Sequence, residues 1–165
     1  MLHQDERTIS SRSDEWWTPH ELFWFLVDLY HFLPMLDICA TEANSLRNLF
    51  FTKKDNALKR IWMIGKKKRK CWCNPPNSKM KYFLKQAFEM WDKYRIQTMM
   101  VVPLNIQSSI NYWKYVQRPM EKGERIMVRP IEGRKKFLFK GRDKGTSING
   151  YCVVIFGRRN RFMLG

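Results

Sequence analysis

The apolar positions of this chain recur with two different periods, and the changes of period mark its elements. From Glu21 to Leu33 they come at helical spacing, behind Thr18 and Pro19, a pair suited to an N-cap and a first helical position. Pro34 ends that helix, and Met35-Leu36-Asp37-Ile38-Cys39-Ala40 reads as a short buried strand in which Asp37 is the odd member. A carboxylate there is costly unless it is hydrogen-bonded or stands at the strand's exit. Asp37 is thus a structural aspartate or the partner of a cationic or hydroxyl-bearing ligand. Thr41 to Leu49 is expected to form a short helix capped by Thr41, and Leu49 to Thr52 a strand. Asp55 follows, where aspartate commonly caps a turn.

Lys70-Cys71-Trp72-Cys73 reads as the next strand, running into Asn74-Pro75-Pro76-Asn77-Ser78. Phe83, Leu84, Ala87, Phe88 and Trp91 then make an amphipathic helix over Lys79 to Tyr94. Met99 to Pro103 is a central-strand pattern, with a polar exit at Asn105 to Ser109 and a helix ending near Arg118-Pro119. Arg125 to Pro130 and Tyr151 to Phe156 complete the strands. This alternation predicts one α/β domain over residues 14–165, behind a loose polar tail at 1–13. The sheet is expected to be mostly parallel with an antiparallel C-terminal edge.

Charge sharpens the picture. The chain has 165 residues, 44% of them hydrophobic and 15% aromatic, which excludes a disordered polypeptide. Its net charge of +16 calls for an anionic partner, nucleic acid before an acidic membrane surface. The longest apolar stretch, Leu22 to Leu36, is interrupted by Asp28 and His31 and is too short to span a bilayer. The polar start is not a secretory signal, so a cytosol-like compartment is expected. Cys39, Cys71, Cys73 and Cys152 lack metal-site spacing and read as reduced core thiols. Two basic stretches stand out. Lys66, Lys67, Lys68 and Arg69 form a turn, either solvated or set against phosphates beside the Asn74 loop. Arg134, Lys135, Lys136, Lys140, Arg142 and Lys144 interleave with Phe137 and Phe139 between glycines, as suits a ribbon tracking a nucleic-acid backbone.

Asn74-Pro75-Pro76-Asn77 carries the chemistry. Adjacent prolines fix φ, remove two donors and push the residues before them into extended geometry. The result is a stiff, acceptor-rich finger at a strand's carboxyl end, where open α/β sheets place ligands. Such a finger suits an exocyclic amine, whose lone pair is delocalised into its ring. The Asn74 side-chain oxygen and the Pro75 carbonyl could each accept one amino hydrogen and favour a pyramidal, nucleophilic nitrogen. Against a sulfonium methyl donor, catalysis is then mostly positioning and electrostatics.

Asn74-Pro75-Pro76 after a strand resembles the motif of amino-group methyltransferases. More narrowly, Asp14-Glu15-Trp16-Trp17-Thr18-Pro19, Leu36-Asp37-Ile38-Cys39-Ala40, Asp55-Asn56-Ala57-Leu58, Cys73-Asn74-Pro75-Pro76 and Gly133-Arg134 stand in the order seen in phage-type DNA N6-adenine methyltransferases. The resemblance covers residues 14–157. It implies a Rossmann-like fold with helices on both faces, S-adenosyl-L-methionine as cofactor, adenine N6 in DNA as target, and a host-cell cytosol or nucleoid as workplace. By position it implies that Trp16, Thr18 and Pro19 flank the cofactor. Asp37, with Ile38 and Cys39, lies in its loop, and Asp55 meets its ribose or adenine. Asn74, Pro75 and Pro76 hold the amine, with Asn77 closing the motif. Other readings are an inactive methyltransferase fold kept for binding nucleic acid, and an RNA adenine methyltransferase.

The chain departs from the family pattern at Asn77, where an aromatic usually stands, and in lacking glycine from Asp37 to Thr41. Stacking a base on an aromatic ring contributes about 1–3 kcal/mol, so the departure is costly unless Trp72, Trp113 or another ring takes over. Asn77→Tyr should therefore raise methyl transfer to DNA roughly 10- to 100-fold in a labelled-cofactor assay; an unchanged rate would mean that another ring already stacks on the base.

Overall fold

The computed structural model describes residues 16–133, 137–139, 142–143 and 150–160. The N-terminal tail and Arg134, Lys135, Lys136, Lys140 and Lys144 lie outside the described residues. The elements are β1 (Trp16–Trp17), α1 (His20–Tyr30), β2 (Leu36–Asp37), β3 (Leu49–Phe50), β4 (Met63–Ile64), β5 (Lys67–Lys68), β6 (Cys71–Cys73), α2 (Met80–Tyr94) and β7 (Thr98–Pro103). A helix over 110–121, here α3, follows, then β8 (Ile126–Pro130), β9 (Leu138–Phe139), β10 (Arg142–Asp143) and β11 (Tyr151–Phe156). Six strands form the main sheet in the order β3-β2-β6-β7-β11-β8. Neighbours from β3 to β7 are parallel, and β11 runs antiparallel to both β7 and β8.

The near-continuous apolar strands follow from a sheet covered on both faces. Trp72, Met99, Val101, Val153 and Ile155 face α1, where they bury Leu22, Phe23, Leu26 and Val27. Cys71, Cys73, Met100, Val102, Cys152 and Val154 point the other way, into the layer made by α2 and α3. Cys71, Cys73 and Cys152 are free and buried, as core thiols should be, and burial pushes all three thiols up.

Several local expectations needed correction. The N-cap of α1 is Pro19, not Thr18, whose hydroxyl is used elsewhere. The same helix stops at Tyr30, before Pro34. His31 takes a left-handed φ of 47°, while the amides of His31 and Phe32 close onto the Asp28 and Val27 carbonyls. Buried Phe32 supplies the apolar contact that accompanies such a cap. Thr41 to Leu49 forms turns before β3 rather than a helix, because the Asn44 side chain accepts the Thr41 amide and hydroxyl at 2.7 and 3.0 Å. Finally, α3 runs past Pro119 to Glu121, with a π-helical stretch over Trp113–Gln117 just before the proline. Pro119 has no amide to give the preceding turn, and the wider turn accommodates it.

Trp72 is 1% exposed and meets Phe23 edge-on at 5.0 Å between centroids, joining β6 to α1. Trp72→Ala is expected to cost about 3–5 kcal/mol of stability, measured by denaturant unfolding with an unchanged m-value.

Candidate active site

The strand order creates one crevice. From β2 the chain moves outward to β3, and from β6 it moves the other way to β7, so the winding reverses between β2 and β6. Ligands of open α/β sheets bind above the carboxyl ends of such a strand pair. Here those ends carry Asp37 to Cys39 and Asn74. The two loops touch, since Cys39 Sγ and Cys73 Sγ lie 3.9 Å apart.

Asn74 stands at the exit of β6, and its amide nitrogen donates to Thr18 Oγ1 at 2.9 Å and to the Trp16 carbonyl at 3.4 Å. A carbonyl only accepts, so the nitrogen must face Trp16. Oδ1 is thereby left to accept from a ligand. Thr18 is 8% exposed, so this contact is shielded from water. The resemblance implies that Trp16 and Thr18 flank a cofactor; in the structure both contact Asn74. No short-range signal announced this, because Thr18 and Asn74 are 56 positions apart.

The two proline carbonyls differ. That of Pro76 accepts the Lys79 amide at 2.9 Å and that of Asn77 accepts the Met80 amide, opening a 3-10 turn over Asn77–Lys79. That of Pro75 accepts no hydrogen bond among the described residues. Among the described residues, Asn74 Oδ1 and the Pro75 carbonyl thus keep acceptor capacity that no contact uses. The Asn77 side chain is exposed at the finger's rim. Of the two named rings expected to replace a motif aromatic, Trp72 is buried and excluded, whereas Trp113 is 42% exposed near the start of α3.

Asp37 holds its own loop. Its oxygens accept the Cys39 amide at 3.3 Å and the Leu46 amide at 3.1 Å, and the residue is 3% exposed. Burial pushes its carboxyl up to about 6, against the opposing pull of those two amides. Ile38 is buried and Cys39 half-buried in the same loop, which contains no glycine. Asp55 is exposed and already engaged. It accepts the Thr52 amide and hydroxyl at 2.8 and 3.1 Å and pairs with Arg60 at 3.0 Å, and the Thr52 bonds hold its carboxyl below the usual range. None of its described contacts reaches Asn74. Pro19 begins α1 beside Thr18.

The two basic stretches part company. The ribbon of β9 and β10, which includes Arg142, pairs with β1 through Trp16↔Phe139, so its backbone is tied to the strand that holds Asn74. Lys66, Lys67, Lys68 and Arg69 are not beside the finger. They precede β6 and lie at its amino end, because a three-residue strand separates them from Asn74.

A family model described as DNA N-6-adenine-methyltransferase (Dam) matches residues 5–162. A DNA N-6-adenine-methyltransferase of Escherichia phage T1 is 37% identical over 90 residues, covering 54% of this chain and 36% of that protein. One of Haemophilus phage HP1 is 29% identical over 106 residues, 64% of this chain and 58% of that protein. The chain therefore spans between about a third and somewhat over half of those relatives.

Asp37 links this loop to pH. Its folded value lies above that of an ordinary carboxylate, so the folded state holds the proton more tightly and is favoured as pH falls from about 6 to about 4. Relative to Asp37→Asn, wild type should gain up to about 3 kcal/mol over that interval, read from urea midpoints at each pH. A pH-independent difference would place the carboxyl at its ordinary value.

Proposed function

This chain belongs to the DNA N-6-adenine-methyltransferase (Dam) family, and on that premise we propose that it methylates the N6 amino group of adenine in DNA, using S-adenosyl-L-methionine. The observation that carries this reading is the orientation of Asn74. Its amide nitrogen is held by Thr18 Oγ1 and the Trp16 carbonyl, so Oδ1 is left to accept, as is the carbonyl of the next residue, Pro75, and neither has a partner among the described residues. Each acceptor takes one amino hydrogen of the target base, drawing the nitrogen lone pair out of the ring. Rigid prolines hold that geometry before the base arrives, so little reorganisation remains for the reacting complex.

The cofactor fits the crevice above β2 and β6, where Asp37 fixes the loop of Ile38 and Cys39 against Cys73. When bound there, it supplies a sulfonium methyl group and a neutral leaving thioether. The chain's part is to bring adenine N6 in line and to exclude water. The basic ribbon, tied to β1 through β9, is assigned to the DNA strand that carries the target base. A base held in such a finger must leave the duplex stack.

Tritiated methyl transfer to unmodified duplex DNA tests the reading. Wild type should label adenine N6, and Asn74→Ala should lose at least about 100-fold in kcat. Thr18→Val should lose roughly 10-fold in kcat with cofactor affinity retained by calorimetry, while Thr18→Ser keeps the rate. Equal rates for wild type and Asn74→Ala would refute the mechanism.

A further inference from the structure

The end of the sheet opposite Asn74 is strongly basic. The hydrogen bonds that open the strands locate it. The Lys70 carbonyl accepts the Met35 and Leu36 amides, the Gln97 carbonyl accepts the Cys71 amide, and the Arg125 carbonyl accepts the Gly157 amide. Lys70, Gln97, Arg125 and Gly157 thus share one level, at the amino ends of β6, β7 and β8 and just beyond β11. The hairpin of β4 and β5, with exposed Lys66, Lys67 and Lys68, feeds into that level through Arg69.

A groove of about 1040 Å³ is cut into this end. Lys70, Arg125, Arg158 and Arg159 line it with His31, and Glu124 is the acid among its walls. Buried Phe32 lies under Lys70, whose ammonium sits 5.2 Å from the ring centre. Arg158 donates to the Tyr30 carbonyl, which holds one guanidinium on the frame. Among the described residues, none of Lys66, Lys67, Lys68, Lys70, Arg125 or Arg159 has a carboxylate partner.

We infer that this far-end groove is a second nucleic-acid contact, which grips a phosphate backbone away from the target base. Distance separates the two contacts. From Lys70 to Asn74 along β6 the rise is about 13 Å, and the two positions open onto opposite ends of the sheet. Shape selects the partner: a concave cleft receives a strand, whereas a membrane surface calls for a flat or convex face with apolar residues at its tip. The inference is independent of methyl transfer and concerns binding alone.

The test removes charge from exposed positions outside the candidate active site: Lys66→Gln, Lys67→Gln, Lys68→Gln, Arg125→Gln and Arg159→Gln together. Binding to a random-sequence duplex is measured across a salt series, without cofactor. Each lost phosphate contact flattens the log–log salt slope by about 0.9, so the fivefold variant should be shallower by up to about 4.5. The double variant Arg125→Gln/Arg159→Gln should be shallower by about 1.8, and serves if the fivefold variant does not melt like wild type. An unchanged slope in a folded variant overturns the inference. So does loss of binding to phosphatidylserine vesicles with duplex binding intact, which would assign the groove to a membrane. Absence of methyl transfer by wild type would refute the proposed activity and leave this slope unaffected.

Discussion

Two hydrogen bonds from one amide determine what this site can do. A free asparagine presents either its nitrogen or its oxygen to a ligand. With its nitrogen held by Thr18 Oγ1 and aimed at the Trp16 carbonyl, Asn74 presents its oxygen. The same contact ties the N-terminal segment to the exit of the central strand β6. Through Trp16 it also ties the β9–β10 ribbon to the finger. Orientation of one side chain and assembly of three segments are thus a single constraint.

The sheet supports this by being buried on both faces. Trp72 fills the α1 side, while Cys71 and Cys73 leave room for α2 on the other. A strand held from both sides delivers Asn74 at a fixed height and angle. Charge follows the same axis: the Asn74 finger is neutral, and Lys70, Arg125, Arg158 and Arg159 gather at the far end of the sheet.

Much of the fold could be read from the chain because its signals are local. Apolar runs at Met99 to Pro103 and Tyr151 to Phe156, and the helical spacing from Phe83 to Trp91, each point to the elements found. The finger was legible for the same reason, since two prolines constrain their neighbours wherever they stand. Misreadings arose where a side chain overrode propensity. Asn44 captured Thr41 and turned an expected helix into turns. Thr18 has the composition of an N-cap, yet its hydroxyl serves a residue far along the chain. The place of Lys66 to Arg69 was missed because sequence adjacency to Asn74 hides the strand that carries them to opposite ends.

The pairing of Trp16 with Phe139 has a consequence for the order in which the protein is made. Asn74-Pro75-Pro76 leaves the ribosome before any of β7, β9 or β11 exists. Until residues 137–139 follow, β1 has no strand to pair with, and the carbonyl that faces Asn74 has no fixed place. A nascent or truncated chain can carry the whole motif and still lack the frame that aims it. Synthesis as far as residue 139 is thus needed before β1 can take its place in the sheet.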